Sequence, residues 1–239
     1  MNYSFLTPDL SDKRIISAAE YLAKKGYTRV NNAENADFVL LGVNPKSEYL
    51  NYDVPIYAGN VSADNVYDYT KREDFAIKNA YLTAEGALSL AINESDISLI
   101  NSEILICGFG RIGKALHRYL SAFSRNITVC SRSSESKALA NSLGAKTVDF
   151  TALKEKNSFD YIFNTVPHPV FNKEELAATK DEALIIDLAS FPGGVDIHFA
   201  KHNNTRLITA RGLPSEYSAK SAGRILGETV DNMIREVIV

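Results

Sequence analysis

Short apolar runs alternate with amphipathic segments in the second half of the chain. The runs "EILICG", "ITVCS", "KTVDF", "FDYIFNTV", "ALIIDLA" and "RLITA" each have the length of a buried strand. The segments between them, such as "RIGKALHRYLSAF" and "SESKALANSLG", have apolar residues at helical spacing. Strands that alternate with helices in this way indicate a parallel sheet with helices on its faces. We therefore predict an α/β domain with a Rossmann-type, doubly wound parallel sheet over residues 102–216.

The first 75 residues carry a smaller version of this pattern. "YSFL", "DFVLLGV" and "VPIYAG" are typical of strands, and "SDKRIISAAEYLAKKG" is typical of an amphipathic helix. The apolar face predicted for that helix consists of Ile15, Ile16, Ala19, Leu22 and Ala23. We interpret residues 1–75 as a small α/β domain that binds the substrate.

Two long helical patterns flank the larger domain. One runs from about Lys71 to Ser95, and we assign residues 76–101 as the helix that links the two domains. The other, over residues 217–239, has an apolar side that we expect to pack back on the first domain. The apolar positions are Leu82, Ala84, Leu88, Ala91 and Ile92 in the linking helix and Ala222, Ile225, Leu226, Val230, Met233 and Ile234 in the last helix.

Composition excludes several classes of function. A formal net charge of -3 argues against a nucleic-acid binder, and the chain has no apolar run of 18 residues that would predict a membrane span. The start, "MNYSFLTPDL", lacks the basic and apolar regions of a secretory signal. Cys107 and Cys130 lie in predicted strands and are typical of core residues in a reduced, cytoplasmic protein. The four histidines are scattered and no CxxC pair occurs, so we expect no metal site.

A glycine-rich loop follows the first strand of the larger domain. "ICGFGRIGKAL" contains Gly108-x-Gly110-x-x-Gly113 between an apolar strand and an amphipathic helix, which is the context that a dinucleotide site requires. The first glycine permits the tight turn, the second admits the pyrophosphate, and the third lets the helix pack closely. The start of the helix, with Arg111 and Ile112, supplies free N–H groups for the phosphates. A glycine turn that binds nothing is the alternative.

The end of the second strand suggests which dinucleotide is bound. An acidic residue at this place would accept hydrogen bonds from the ribose 2′-hydroxyl of NAD. The sequence "TVCSRSS" instead provides Ser131, Arg132 and Ser133, and a guanidinium group is well suited to a phosphate. We therefore predict that NADP(H) is preferred over NAD(H). The alternative is an exposed Arg132 in a protein that binds NAD.

The loop after the fourth strand of this domain, "FNTVPHPV", is placed to contact the cofactor. Ligands of such sheets bind outside the carboxyl ends of the strands. We expect Thr165, Val166 and Pro167 to lie against the nicotinamide ribose. His168 is a candidate acid–base catalyst because histidine titrates near neutral pH, although a histidine between two prolines is also typical of a merely exposed side chain.

Further candidates lie in the last third of the chain and in the linking helix. In "IIDLASFPGGVD" we expect Leu188 and Ala189 to position the edge of the nicotinamide; a simple strand-to-helix turn capped by Asp196 is the alternative. Arg211 and Lys220 are candidate partners for substrate carboxylates or, equally, solvated surface cations. Glu85, unusual among apolar neighbours, is a candidate general base if its face of the helix lines the active site.

Six motifs, in this order, resemble the A subunits of dipicolinate synthases. They are "YLTAEGALSLAI", "GFGRIGKAL", "CSRSS", "NTVP", "DLASFPGGVD" and "GLPSEYSAKSAGRIL", and they extend from about Asn79 to Met233. The resemblance implies a Rossmann domain joined to a smaller flavodoxin-like α/β domain. It also implies a cytoplasmic enzyme of the mother cell of a spore-former, which oxidises dihydrodipicolinate, or its hydrated precursor, to dipicolinate with NAD(P). A flavoprotein-like B subunit is the partner implied, and we also expect a homo-oligomer.

The chain departs from that family at several positions. The first domain is shorter, and the expected glycine-rich loop of the "GGD" kind with a following arginine reads "LTPDLSDKR", with Asp9 and Arg14 as the remaining counterparts. Ser215 stands in place of glycine, Ala219 in place of proline, and His168 where no histidine is usual. These differences leave open whether the substrate is a dicarboxylate of the dipicolinate pathway or another small amino or keto acid. A non-catalytic NADP-binding subunit is the third hypothesis.

Overall fold

The protein is described from a computed structural model that covers residues 3–155 and 157–238, with side chains described up to residue 236. The chain divides into two compact units. Unit 1 combines Met1–Leu82 with Pro214–Val239, and unit 2 is Thr83–Leu213. The first unit is therefore built from both ends of the chain, and the second from its middle.

Unit 1 contains a five-stranded, fully parallel sheet in the order β2-β1-β3-β4-β5. Its strands are β1 (Ser4–Leu6), β2 (Thr28–Val30), β3 (Phe38–Val43), β4 (Ile56–Gly59) and β5 (Val66–Asp68). This is the strand order of flavodoxin-like folds, in which the switch point lies between β1 and β3. The implied flavodoxin-like domain is thus confirmed, whereas the sequence patterns missed β2 and β5.

Four α-helices include residues of unit 1: α1 (Lys13–Lys24), α2 (Glu73–Asn93), α7 (Leu213–Tyr217) and α8 (Ala219–Ile238). Helix α8 packs along α1, and the two share a core with the aromatic face of the sheet. The close approach depends on Gly223, because a Cβ there would overlap the carbonyl oxygen of Arg14 and lie 2.8 Å from Ser17 Cβ. Gly227 lies one turn further along the same contact.

Unit 2 contains a six-stranded, fully parallel sheet in the order β11-β10-β9-β6-β7-β8. Its strands are β6 (Ile104–Cys107), β7 (Ile127–Cys130), β8 (Lys146–Val148), β9 (Tyr161–Asn164), β10 (Leu184–Asp187) and β11 (Arg206–Thr209). The order is that of a dinucleotide-binding Rossmann domain, in which the strand order reverses between β6 and β9. The predicted doubly wound sheet is confirmed.

The helices of unit 2 connect these strands. They are α3 (Arg111–Leu120), α4 (Ser134–Ser142), α5 (Lys173–Ala178) and α6 (Ile197–His202), while the part of α2 from Thr83 onward precedes the first strand. The segment "TALKEK", predicted as a short helix, forms part of a 3-10 helix over Phe150–Lys154, and its Lys156 lies outside the described residues. One core joins β6, β9 and β10 to α5 and α6.

Three expected core positions and one helix boundary are corrected. Ile16 is 48% exposed and Ala23 is also exposed, because Ala18 completes the buried stripe of α1 in their place. Ile92 is 58% exposed near the end of α2. The last helical stretch is interrupted at Ser218, between α7 and α8, rather than continuous. On α8, Leu226, Val230 and Ile234 belong to the core of unit 1 as expected, and Ile225 and Met233 pack against it.

No helix within residues 3–155 and 157–238 combines the length and the apolar character that crossing a membrane requires.

Candidate functional site

The glycine loop between β6 and α3 has the geometry of a phosphate cradle. Gly108 has φ +88°, and a Cβ there would lie 2.9 Å from Val166 Cγ2 and overlap Thr165 Oγ1. A Cβ on Gly113 would overlap the carbonyl oxygen of Gly108, which explains why α3 can start so close to the strand. Gly110 instead has open space within 4 Å of a Cβ and is exposed, at the N-cap of α3. The middle glycine therefore borders the place where a pyrophosphate would approach the backbone.

The end of β7 provides no carboxylate at the position next to the loop. Arg132 is exposed, and Ser133 caps α4 by accepting a hydrogen bond from Ser136 N at 3.1 Å. Ser131 is buried, and its hydroxyl accepts from Ser133 N at 3.2 Å. Both serine hydroxyls are thus used as acceptors within the turn, and Arg132 is the residue that projects from it. These residues could hold a ribose phosphate, since a guanidinium group binds phosphate well.

A pocket of about 220 Å³ is lined by both Arg132 and His168. The sequence patterns did not connect the two residues, because they follow different strands. The remaining lining comes from the 3-10 helix after β8, the loop after β9 and the start of α5: Phe150, Thr151, Lys154, Val166, Pro169, Val170, Asn172 and Glu175. His168, a candidate acid–base catalyst, is therefore placed with the predicted phosphate-binding arginine.

The carboxyl ends of β9 and β10 are joined by a buried hydrogen-bond network centred on Asp187. Its carboxylate accepts from Asn164 Nδ2 at 2.8 Å, Ala189 N at 3.3 Å and Gly194 N at 3.2 Å. Asn164 also accepts from Val166 N at 3.2 Å. Both Asn164 and Asp187 are almost fully buried. This network fixes the two loops in which the sequence predicted contacts to the nicotinamide half of the cofactor.

Leu188 and Ala189 are buried at the start of the second of these loops. Asp196 caps α6 by accepting from Phe199 N at 2.9 Å, as the alternative interpretation of this segment predicts. At the tip, by contrast, Phe191 is 83% exposed. The loop therefore combines a rigid base with an aromatic side chain that projects into solvent.

Arg211, directly after β11 and Ala210, is held against this loop by neutral groups. Its Nε donates to the carbonyl of Ala189 at 3.3 Å, and its Nη2 donates to the carbonyl of Pro192 at 3.1 Å. The guanidinium also lies 5.8 Å from the centre of the Phe191 ring. Within the part of the chain that the structure describes, no carboxylate forms an ion pair with Arg211. Its positive charge is therefore fixed in place and available to an anionic ligand.

Glu85 is exposed on α2, where its carboxylate accepts a hydrogen bond from the Tyr119 hydroxyl at 3.1 Å. This contact joins α2 to α3 within unit 2.

Lys220 and Arg14 both belong to unit 1, whereas Arg211 belongs to unit 2. Lys220 lies at a groove between α1 and α8 that also includes Lys24 and Arg224. Arg14 is largely buried and forms a two-pronged ion pair with Asp12, at 2.9 Å from Nε to Oδ1 and 2.7 Å from Nη2 to Oδ2. The partner of Arg14 is thus Asp12, whereas Asp9 accepts from Ser11 N at 2.8 Å.

Asp12 also begins α1, because its carboxylate accepts from Arg14 N at 3.0 Å. Burial by itself would raise the pKa of Asp12, but the hydrogen bonds and charge of Arg14 outweigh it and lower the pKa below the ordinary value. The sequence signal for this pair was an aspartate at a helix start followed two residues later by an arginine.

A polar cluster at the carboxyl edge of the unit 1 sheet was missed by the sequence patterns. Asn44 and Asn60 follow β3 and β4 with φ +53° and +58°, and Asn60 Nδ2 donates to Asn44 Oδ1 at 2.5 Å. Asn60 N donates to Asp68 Oδ1 at 3.0 Å. Asparagine adopts a left-handed backbone more readily than most residues, so two asparagines that each end an apolar run were the available signal.

Cys107 and Cys130 are neighbours in register on β6 and β7. Both are free thiols and fully buried. Burial, together with a hydrogen bond to Cys130, raises the pKa of the Cys107 thiol well above its ordinary value. The pair is therefore part of the sheet core beneath the glycine loop, as small apolar residues would be.

Comparison with known proteins agrees with this geometry. Residues 79–190 match the NAD binding domain of D-isomer specific 2-hydroxyacid dehydrogenases. The chain is 32% identical over 185 residues to the A subunit of dipicolinate synthase from Bacillus subtilis (strain 168), which is 76% of this chain but 62% of the relative. The chain thus matches less than two thirds of that relative's length.

Two solved structures have the same fold over nearly the whole chain. The dipicolinate synthase A chain from Bacillus subtilis has a TM-score of 0.86 and 24% identity, covering 99% of this chain and 97% of its own. The corresponding protein from Bacillus halodurans has a TM-score of 0.86 and 22% identity, covering 97% of each chain. Residues 79–190 are therefore similar to the NAD binding domain of D-isomer specific 2-hydroxyacid dehydrogenases, in a chain that resembles the A subunits of dipicolinate synthases in sequence and in fold.

Proposed function

We propose that this protein is an NADP-preferring oxidoreductase that oxidises dihydrodipicolinate, or its hydrated precursor, to dipicolinate. The sequence similarity to the A subunit of a dipicolinate synthase supports the substrate class. The observation that carries the proposal is the arrangement at the unit 2 sheet edge: an open glycine loop, a second strand that ends in Arg132 without an acid, and the guanidinium of Arg211 held by neutral carbonyls.

The nicotinamide cofactor supplies the chemistry, since it accepts a hydride from the substrate during oxidation. The protein's own residues bind and orient. Gly110 and the first N–H groups of α3 would hold the pyrophosphate, and Arg132 would hold the phosphate that distinguishes NADP from NAD. The Asp187 network keeps the two loops at the other half of the site rigid, which is the preorganisation that positioning requires.

Arg211 is the residue of this unit that we propose as the anchor of a substrate carboxylate. Its Nε and Nη2 are held by two carbonyls, which leaves the rest of the planar fork free to donate. A guanidinium group that is held in place by neutral groups binds a planar anion favourably, because the arginine side chain loses little conformational freedom when the ion pair forms. A small dicarboxylate provides such an anion.

The activity is tested by following NADPH formation from dihydrodipicolinate or its hydrated precursor, with and without a flavoprotein-like B subunit. We expect turnover in at least one of the two conditions, and no turnover in either would remove the proposal. A panel of small amino and keto acids in the same assay identifies a dehydrogenase of another acid. Tight NADPH binding without turnover, in a stable complex with a second protein, would instead indicate a non-catalytic subunit.

The role of Arg211 is tested by Arg211→Gln, with Lys201→Gln on α6 as a matched loss of one exposed charge in the same unit. We expect Arg211→Gln to raise KM by about 10- to 100-fold, since a charge-assisted hydrogen bond contributes roughly 1.5–3 kcal/mol. Lys201→Gln should leave KM unchanged. Equal values of KM in all three proteins would remove Arg211 from the substrate site.

The cofactor preference is tested by Arg132→Asp, which replaces the cation with the acid that NAD enzymes carry. We expect the affinity for NADPH to fall by about 10- to 100-fold, because a charge-assisted hydrogen bond of roughly 1.5–3 kcal/mol is lost. The affinity for NADH should rise or stay the same. Unchanged affinities for both would mean that Arg132 does not bind the 2′-phosphate.

The partners belong to the same proposal. We infer that the chain acts in the cytoplasm of the mother cell of a spore-former, as a homo-oligomer, and with a flavoprotein-like B subunit. Co-expression with the reading frame next to its gene, followed by size-exclusion chromatography with light scattering, measures both associations. A monomer that never co-elutes with that protein would contradict this part.

A further inference from the structure

The pocket beside Arg132 is formed by loops that follow different strands of unit 2. Arg132 follows β7, whereas Val166, His168 and Pro169 belong to the loop after β9. Its volume of about 220 Å³ is below the roughly 300–1,000 Å³ of sites that enclose a drug-sized ligand. The pocket is therefore suited to one end of a larger ligand.

Two of the polar side chains that line the pocket are free. The side chains of Arg132 and His168 have no hydrogen-bond or ion-pair partner among residues 3–155 and 157–238. Lys154 also lines the pocket, and its ammonium group is bound to Glu174 at 2.8 Å. The carboxylate of Glu175 accepts from Asn172 N at 2.9 Å and is buried. An anion that enters the pocket therefore meets two free donors.

Part of the lining of the same pocket is apolar. It includes Phe150, Val166 and Pro169, which we call the apolar wall. A flat ring could be buried against this wall while a charged group on it reaches the donors. The combination of an apolar wall and adjacent cations matches a purine nucleoside that carries a phosphate.

The loop that carries His168 is held at both ends. At one end, Val166 N donates to Asn164 Oδ1 at 3.2 Å, and the Val166 carbonyl accepts from Asn164 Nδ2 at 3.1 Å. At the other end, Val170 N donates to the carbonyl of Gly194 at 2.9 Å. Prolines on both sides of His168 fix their own φ angles. The imidazole is thus presented from a stiff loop, which lowers the entropy lost on binding.

We propose that Arg132 and His168 together bind the 2′-phosphate of NADP(H), with the apolar wall taking up the adenine. This inference rests on the NADP preference proposed above and adds a second phosphate-binding residue, from the loop after β9. It reassigns His168, a candidate acid–base catalyst in the sequence, to cofactor discrimination. Two donors from two loops would recognise the phosphate more selectively than Arg132 alone.

The test uses fragments of the cofactor, so that catalysis does not enter the readout. Calorimetric titration of the full chain with 2′,5′-ADP and with 5′-AMP isolates the contribution of the 2′-phosphate. The variants are His168→Asn, Arg132→Gln and the control His202→Ala, which removes another exposed histidine of unit 2. Thermal unfolding of each variant verifies that the fold is retained.

We expect the unmodified chain to bind 2′,5′-ADP at least about tenfold more tightly than 5′-AMP, as a charge-assisted contact implies. His168→Asn and Arg132→Gln should each lower the affinity for 2′,5′-ADP by about tenfold, while the affinity for 5′-AMP changes less than about twofold. His202→Ala should change neither.

Two results would overturn the role of His168. One is an unchanged affinity of the His168→Asn variant for 2′,5′-ADP. The other is an equal loss of affinity of this variant for 2′,5′-ADP and for 5′-AMP. If Arg132→Gln alone loses the discrimination, the cofactor preference stands and the inference about His168 fails. If the unmodified chain binds both fragments equally, the preference itself fails.

Discussion

At the scale of single residues, the glycines of the first loop of unit 2 differ in what surrounds them. A side chain on Gly113 would overlap the carbonyl oxygen of Gly108, whereas a side chain on Gly110 would meet open space. Packing therefore requires a glycine at position 113, whereas only a bound ligand would require one at position 110. The two positions make it possible to separate folding from binding.

We predict that Gly110→Ala changes the free energy of unfolding by less than about 1 kcal/mol, which is the scale of an N-cap change. The same substitution should lower the affinity for NADPH at least about tenfold. Gly113→Ala should destabilise the chain by about 1–3 kcal/mol through overpacking. Denaturant unfolding followed by circular dichroism and titration with NADPH measure the two effects. Undiminished NADPH binding by a folded Gly110→Ala variant would argue against a pyrophosphate at this loop.

Asp12 provides a residue-scale test in unit 1. Asp12→Ala removes the cap of α1 and leaves Arg14 unpaired, so we expect a loss of about 2–4 kcal/mol in the free energy of unfolding. Asp12→Asn, the matched control, retains a capping side chain but loses the charge. It should therefore lower the free energy of unfolding by less than Asp12→Ala does. Equal stability of both variants and the unmodified chain would show that the pair is unimportant.

The pH dependence of this effect follows from the lowered pKa of Asp12. Because Arg14 holds the folded-state pKa below the ordinary value of 3.8, the unfolded chain takes up the proton first as the pH falls. The stabilisation is fully present above that value and disappears as the pH drops through the folded-state pKa. The stability difference between the unmodified chain and Asp12→Asn should therefore shrink in acid, and a difference that grows would contradict the assignment.

The sequence located the residues of the candidate site better than it predicted which of them are neighbours. The glycine loop, Arg132 and the loop of Asp187 are contiguous signals with known geometry, and the structure places them at the carboxyl edge of one sheet. The pocket shared by Arg132 and His168 could not be predicted, because it depends on two loops that are 36 residues apart approaching each other. Pairings across a sheet edge are decided by tertiary structure, not by local pattern.

At the scale of elements, the contact between α1 and α8 depends on small residues. A Cβ on Gly223 would lie 2.8 Å from Ser17 Cβ and overlap a carbonyl of α1. We predict that Gly223→Ala destabilises unit 1 by about 1–3 kcal/mol, since the helices must separate. Ser221→Ala, an exposed change on the same helix, should stay within about 0.5 kcal/mol. Denaturant unfolding of both variants measures the difference, and similar values would contradict close packing at Gly223.

The elements that the sequence failed to predict are short or partly exposed. Strand β2 has three residues, two of them exposed, and β5 has three residues without a buried one. Such strands lack both the alternation and the apolar run by which strands are recognised. They are the edge strands of the unit 1 sheet, where only one side is paired. The long central strands and helices, by contrast, follow directly from the pattern.

At the scale of the whole molecule, the two ends of the chain share one core while the middle forms another. Leu226 on α8 is fully buried with Phe5 and Ile15 from the first segment. We predict that Leu226→Asp unfolds unit 1, because burying an unpaired charge costs more than about 4 kcal/mol, and leaves the sheet of unit 2 folded.

Hydrogen exchange with mass spectrometry follows the two units separately. In Leu226→Asp, the amides of β1 and β3 should lose protection while those of β6 and β7 keep it. Arg224→Asp, an exposed change on α8, is the control and should preserve both sheets. Loss of protection throughout the chain in Leu226→Asp would mean that the units do not fold independently.

The proposed activity depends on unit 2 binding a nicotinamide dinucleotide and preferring the phosphorylated form. An equilibrium titration of the whole chain with NADPH and with NADH, under identical salt and pH, measures both properties at once. We predict saturable binding of both, with NADPH tighter by about 10- to 100-fold, the value of a charge-assisted phosphate contact. Equal affinities, tighter binding of NADH, or no binding of either would contradict this prediction.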